Sequence, residues 1–468
     1  MESHVHVKRP KLIAAILMLG SFIGLFGETA LNMALTNIME DFSISASTAQ
    51  WLTTGYLLVL AVLVPLSAYL VRWFTTRQLI VSALVISSLG ATLAAVAPSF
   101  SILLAGRLIQ AIGTGIFLPL MFSVVLMIFP IQKRGSVMGI VGLVLTSGPA
   151  LGPTLSGLII QVSSWHYIFW VMIALNGCLL LGALTIENVS TISKPKIDVA
   201  SLVLSTIAFG GIIYSLAALA ETSLTEPLVF GPLTAGLIAL LLFILRQLKM
   251  SQPMIDLRVF NYSMFSLGTL LMVATLFVIL SVSILIPIYL KSVLAYSSIA
   301  AGLLMLPANL LNILMAPIVG SSFDRVGARL YTRAGFAFMT VAAIAFIVIL
   351  SATTPVWQII AALCVLYLGI SMAIMPAQTH AMNQLPPNLY ADGSAAMNTL
   401  TQVAGAAGTA IAITLFTAGQ KNYIAEFGAL NPAEFLAFGT NFAFYAVLVA
   451  AIVGLIGSLF IRNNKAVN

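Results

Sequence analysis

Two ionisable side chains stand deep inside long apolar stretches of this 468-residue chain: Glu28 in ILMLGSFIGLFGETALNMAL and Arg107 in FSILLAGRLIQAIGTG. A charge in hydrocarbon costs at least about 2.5–3.5 kcal/mol on insertion scales, so each is a functional candidate by default. A carboxylate in such a place binds a proton or a cationic substrate, and a guanidinium nearby tunes how readily it does so. The same two groups, paired, would instead tie two helices together. Counted from the expected outer ends of their helices, both stand roughly 10 Å deep at 1.5 Å per residue. At that common depth they could face each other across a cavity.

Other polar candidates are weaker. Asn32, Gln110, Asn309, Asn312 and Gln378 can contact a substrate or hydrogen-bond between helices, and the second use is the commoner one. His166, between Trp165 and Tyr167, reads as part of an interfacial aromatic belt. His380 lies in the polar run AQTHAMNQ and is a candidate titrating group. Nothing resembles a metal site, a nucleophile triad or a phosphate-binding loop. That speaks against an enzyme and against a bound cofactor.

The elements that must hold these groups follow from composition. Hydrophobic residues make up 60% of the chain and charged residues 7%, with a mean hydropathy of +1.10. Soluble domains carry about 25% charged residues, so the chain is an all-α polytopic membrane protein. About 20 apolar residues span a bilayer as a helix. Fourteen segments qualify: 12–35, 49–71, 78–97, 101–129, 137–160, 166–186, 199–220, 229–247, 262–290, 298–322, 333–351, 356–378, 394–417 and 437–461. The start, MESHVHVKRPK, leads into the first of them without a cleavage site. Cys178 and Cys364 both fall in apolar segments, so no disulfide framework is expected.

The net charge of +7 is dispersed between spans, with no basic domain for nucleic acid. It sets orientation instead. With both termini cytoplasmic, 17 of the 20 Lys and Arg residues fall inside, among them Lys8, Lys194, Lys196 and Lys465. Only Lys291 and Lys421 fall outside. A weak internal repeat pairs Pro65 with Pro317 and Arg77 with Arg329, and a second pairs Pro119 with Pro376 and Pro130 with Pro387. Parallel repeats of this kind predict two six-helix bundles, at 1–186 and 262–468, with a two-helix central insert and its linkers at 187–261.

Two stretches promise movement rather than binding. In GIVGLVLTSGPALGPTLSG (139–157), Gly148, Gly152 and Ser156 share one helix stripe, and Pro149, Pro153 and Gly157 the next. The smooth face predicts close packing on the opposite bundle, on the tenth span, to seal the inner side. At 320–329 the residues Gly320, Asp324, Arg325, Gly327 and Arg329 form a charged turn, in which Asp324 can cap the next helix and pair with Arg325 or Arg329. Such a cluster can latch one bundle arrangement; it can also be an ordinary basic loop that only sets topology.

These residues resemble the major facilitator superfamily, and within it the fourteen-helix drug/proton antiporter branch, over essentially the whole chain. Gly320, Asp324, Arg325, Gly327 and Arg329 match the superfamily's inter-helix loop motif. In the first half that motif has decayed, with Ala68, Arg72, Trp73 and Thr75 at its expected positions and only Arg77 kept. Arg107, Gln110 and Gly113 look like the helix 4 motif tied to proton coupling. Gly139, Gly148, Gly152, Pro153, Ser156 and Gly157 are similar to the antiporter motif, with Ser156 in place of a glycine. GETALNMALTNI (27–38) resembles the branch's first-helix motif, with Glu28 where Asp is usual. The runs FTTRQL (74–79) and PMIDLRVF (253–260) are similar to lincomycin-type exporters.

The resemblance implies a major facilitator fold and a proton-coupled exporter of hydrophobic, often cationic compounds in the bacterial plasma membrane. It implies a monomer driven by the proton gradient, with no cofactor. An exporter of an endogenous metabolite, lipid or signalling molecule is the alternative, and a non-coupled channel or sensor on the same fold is a further one.

Overall fold

The structure, a computed structural model, describes residues 9–129, 131–189, 192, 198–219, 222, 226–250, 253–386, 389–428 and 431–462. Lys8, Pro130, Lys194, Lys196, Pro387 and Lys465 lie outside the described residues. The chain forms α1 (Pro10–Phe42), α2 (Ala46–Trp73), α3 (Thr76–Ala95), α4 (Phe100–Ile128), α5 (Ile131–Val162), α6 (His166–Ala183) and α7 (Val199–Ala218). These are followed by α8 (Pro227–Lys249), α9 (Ser263–Ile288), α10 (Ser298–Val326), α11 (Ala328–Ile349), α12 (Val356–Met382), α13 (Tyr390–Phe427) and α14 (Pro432–Leu459). No strand occurs among the described residues.

Among the described residues, twelve of the helices are long and apolar enough to cross a bilayer, or thirteen if the bent α5 is one span, against the fourteen expected. In α2 the described apolar stretch Thr48–Leu63 is flanked by side chains at 46, 47, 64, 65 and 68 that lie outside the described residues, and α5 is bent by 44° between Ile140–Pro149 and Leu151–Val162. Helix ends also differ from the hydropathy boundaries. α1 runs to Phe42 because Asn37, Glu40 and Asp41 continue the helix in polar residues, until Ser43 turns left-handed at φ 52°. α13 extends at both ends for the same reason.

Local sequence sets several starts. Thr75 caps α3 in a reciprocal box: Gln78 N–H donates to Thr75 Oγ1 (3.2 Å) and Thr75 N–H to Gln78 Oε1 (3.0 Å). Pro10, Pro227 and Pro432 occupy first helical positions, where a missing N–H costs nothing.

Packing divides the helices into neighbourhoods. α1 packs on α4, α5 and α6, α2 on α4, and α3 on α4 and α6. In the second half α9 packs on α12, α13 and α14, α10 on α12, and α11 on α12 and α14. Equivalent pairs are joined by backbone contact. A Cβ on Gly106 would sit 2.7 Å from the Gly90 carbonyl oxygen, and one on Gly335 2.7 Å from that of Gly369. The two halves meet through α5 with α10, α2 with α13, and α1 with α9.

The central pair, α7 and α8, pack on each other, and α7 reaches α2 and α13. Their feet are knotted into the connections. Arg246 donates to both Asp198 oxygens (Nε 2.7 Å, Nη2 2.8 Å), and this pairing holds the Asp198 carboxyl down at about 2. Gln247 donates to Ser201 Oγ (2.6 Å) and accepts from the backbone N–H of Met254 (2.7 Å). Asp198 N–H donates to the Tyr69 hydroxyl of α2 (3.4 Å), and Asp256 N–H to Asp392 of α13 (3.1 Å).

Candidate functional site

Glu28 sits midway along α1, 4% exposed, on the wall of a cavity between the two halves. That cavity holds about 830 Å³ of space unoccupied by atoms, part of it open to solvent. From the first half it is lined by Leu25, Glu28, Leu118 and Pro149. From the second half come an apolar surface on α9 and α12, including Met272, Leu276, Ile279, Tyr367 and Ile370, and the polar groups Ser283, Asn312, Gln378, Asn398, Thr401 and Gln402. Among the described residues Glu28 is the one carboxylate on this wall, and its Oε2 is buried without a hydrogen-bond partner.

Arg107 stands beside Glu28 in depth but not in the cavity. Its Nη1 would lie 3.7 Å from a Cβ on Gly27, an ordinary contact distance, so the guanidinium packs against α1 one residue before Glu28, while the close neighbour at Gly27 is Met172 of α6. Among the described residues no ion pair joins Arg107 to Glu28 within 4 Å. The guanidinium lies over the Tyr56 ring instead, 4.2 Å from its centroid, and donates to Gln110 Oε1 (2.5 Å). Its Nε and Nη2 are buried without partners. Tyr56 is itself fixed, donating to the Gly24 carbonyl (3.1 Å) and hydrogen-bonding Thr114 Oγ1 (2.6 Å). Arg107 is thus a buried positive charge near the carboxylate rather than its clamp.

Tyr56→Phe keeps the ring under the guanidinium and removes one hydroxyl from a buried bond to Thr114. Such a loss costs about 1 kcal/mol. The expected result is a lower melting temperature in detergent, with export reduced by no more than a few-fold. A thermal-shift assay beside a transport assay checks it.

The amides separate into two groups. Asn312 and Gln378 line the cavity, whereas Asn32, Gln110 and Asn309 do not. Asn32 accepts from Thr53 (3.3 Å), and Gln110 is taken up by Arg107 and by Met172 Sδ (3.4 Å). Asn309 is fully buried one helical turn from Asn312, with neither amide atom partnered. Tyr56, Asn398, Thr401 and Gln402 went unrecognised in the sequence. The last three recur at i, i+3 and i+4 on α13, a polar stripe that was legible in MNTLTQ. Nothing in the sequence marks Tyr56.

The glycine-rich stretch packs differently from expectation. A Cβ on Gly148 would lie 2.7 Å from Leu25 Cβ, and one on Gly152 would collide with Thr29 Oγ1, so both face α1 within their own half. Thr29 donates to the Pro149 carbonyl (3.3 Å), the acceptor that Pro153, lacking an N–H, leaves open in α5. Ser156 donates to the Pro153 carbonyl three residues back (3.1 Å), a local bond within α5. Of the named glycines whose surroundings are described, Gly157 alone meets α10, where a Cβ would stand 2.8 Å from the Ser298 carbonyl. Thr154 donates to the Gly302 carbonyl nearby (3.0 Å). The side chains at 131–136, 138 and 139 lie outside the described residues; among those described, the closest approaches of α5 to α10 lie at the C-terminal end of α5, where the antiparallel α10 begins. Lys291 adds a bond across the same end, donating to the Met33 carbonyl (3.2 Å) and to Thr36. Gly139 lies within α5, but its surroundings are outside the described residues.

The charged turn is less of a loop than expected. α10 continues through Asp324 and Arg325 to Val326, and Gly327, at φ 83°, is both its C-cap and the start of α11. The N-cap of α11 is Gly327, which brings no side chain of its own to that end. The Asp324 side chain itself is outside the described residues. Gly320 lies in the last turns of α10, while Arg325 and Arg329 are exposed, as is Arg77 at the start of α3.

A family model described as Major Facilitator Superfamily matches residues 17–409. Lincomycin resistance protein LmrB of Listeria monocytogenes is 47% identical over 461 residues, 98% of each chain. LmrB of Bacillus subtilis is 47% identical over 458 residues, 96% of this chain and 95% of its own. Among solved structures, an auto-inhibited POT family peptide transporter superposes with a TM-score of 0.69 at 17% identity, over 97% of this chain and 98% of the other.

Proposed function

The chain belongs to the major facilitator superfamily, and from that premise we propose that it exports antibiotics such as lincomycin, and other hydrophobic, often cationic compounds, in exchange for protons. It is a transporter and not an enzyme. One observation supports the coupling: among the described residues the cavity between the halves holds a single carboxylate, Glu28, whose Oε2 is buried without a partner, beside apolar surface and amides. A group that binds either a proton or a cation, but not both, makes the two compete. Differential affinity between two states is what drives alternating access. A proton arriving from outside neutralises Glu28 and releases the cargo outward; loss of that proton toward the cytoplasm restores affinity.

The reading includes fourteen spans, with α2 and the bent α5 crossing as the others do. It includes six-helix bundles at 1–186 and 262–468 around the insert 187–261, a monomer in the bacterial plasma membrane, and both termini in the cytoplasm. The 17-to-2 split of basic residues supports the orientation. The C-terminal end of α1 and the N-terminal end of α10 then face outside, where Lys291 and the Thr154–Gly302 bond hold the bundles together.

Reconstituted protein with a pH-sensitive dye inside the vesicles tests the coupling. Adding lincomycin to one side should move protons the opposite way, in proportion to lincomycin transported. Lincomycin movement without proton movement would mark a uniporter, and neither movement would end the export reading.

A further inference from the structure

The cavity presents a second unfilled acceptor. Asn312, midway along α10, is 2% exposed, lines the cavity, and its Oδ1 has no hydrogen-bond partner in the protein. It stands on the second-half wall, across from Glu28 on the first-half wall, whose Oε2 is likewise unpartnered. A buried acceptor left open costs free energy until a donor reaches it. The same cavity offers apolar surface as well, from Leu25, Met272, Leu276 and Ile279.

We propose that Asn312 is a neutral-donor subsite, and that the preferred cargo carries two separated hydrogen-bond donors on an apolar body: a protonated amine for Glu28 and a hydroxyl or amide N–H for Asn312. This deepens the export reading and rests on it. The chemistry sets a direction of discrimination. A site built to receive a donor rejects a ligand lacking it strongly, because the site's own polar atom is then buried and unpaired. A bulky cation with no O–H or N–H, however hydrophobic, meets Glu28 through charge alone and leaves Asn312 open. Gln378, Asn398 and Gln402 on the same wall can receive further hydroxyls of a polar cargo, but none of them carries a buried atom without a partner. A bridge between the walls also ties cargo to both bundles at once, so its binding reports their relative position.

The test compares two probes on purified protein by isothermal titration: lincomycin, which has one basic amine and several hydroxyl and amide donors, and tetraphenylphosphonium, a cation with none. Asn312→Leu should weaken lincomycin about tenfold and change tetraphenylphosphonium less than about twofold. Asn312→Ser, which keeps a neutral acceptor at the position, should recover part of the lincomycin affinity without raising that for tetraphenylphosphonium. Should the Leu variant not be monodisperse on gel filtration, Asn312→Ala is judged by the same pair of probes. Unchanged lincomycin affinity, or equal loss for both probes, overturns the subsite while leaving export standing. A wild-type protein that binds neither probe overturns export, and the subsite with it.

Discussion

Glu28→Gln should abolish proton-driven export while leaving the protein folded and inserted. Glutamine matches glutamate in shape and can still hydrogen-bond, so what is lost is the charge and its titration. Two unit charges 4 Å apart at an effective dielectric of 20 attract by about 4 kcal/mol. Even half of that is more than tenfold in the affinity for a cation. The larger consequence is kinetic and thermodynamic together: with no group in the cavity whose charge a proton can cancel, inward protons no longer favour outward release. In vesicles with an imposed pH gradient, accumulation should fall to the level of empty vesicles, while slow downhill movement of cargo persists. Gradient-driven export at the wild-type rate would move the coupling site elsewhere, and Arg107 would not replace it, since it lies outside the cavity and is held by Tyr56 and Gln110.

Gly157→Leu should hold the outer side apart. The absent Cβ of Gly157 faces the backbone of Ser298 at 2.8 Å, and backbone cannot step aside as a flexible side chain can. A leucine there wedges α5 from α10 and strains the neighbouring Thr154–Gly302 bond. The expected outcome is loss of export together with faster labelling of a Ser283→Cys reporter in the cavity by an impermeant maleimide added outside, by about tenfold, in a background with Cys178 and Cys364 replaced. Normal export with unchanged labelling would show that this contact does not gate the cavity. Gly152→Leu is a different experiment. Its clash is with Thr29 and Ala30 of α1, within one half, so it reports packing around Glu28 rather than the contact between halves.

The helical membrane class and the burial of Glu28 in a span were legible because hydrocarbon makes polar residues expensive, and a lone carboxylate stands out against that cost. Which amides meet the cavity was not. Asn309 and Asn312 are the same residue type on the same helix three positions apart, and only the rotation of α10 against its neighbours decides which one opens inward. That rotation is set by contacts such as Gly302 with Thr154, far along the sequence. Helix ends were misjudged for a related reason: hydropathy finds where a helix leaves the lipid, not where it stops, and α1 goes on through Glu40 and Asp41. The ring of Tyr56 beneath Arg107 left no trace in composition or spacing. The two prolines of α5 looked costly in isolation, and the hydroxyl that satisfies the first of them comes from another helix.

The knot at the feet of α7 and α8 bears on how such a chain can change over generations. Gln247 holds the backbone of Met254, Asp198 meets Tyr69, and Asp256 meets Asp392, so the central pair has become part of the joints on either side of it. Removing 187–261 would leave the Tyr69 hydroxyl of α2 and the Asp392 carboxylate of α13 without these backbone donors, so a shortened chain needs repair at both joints and not merely rejoined ends.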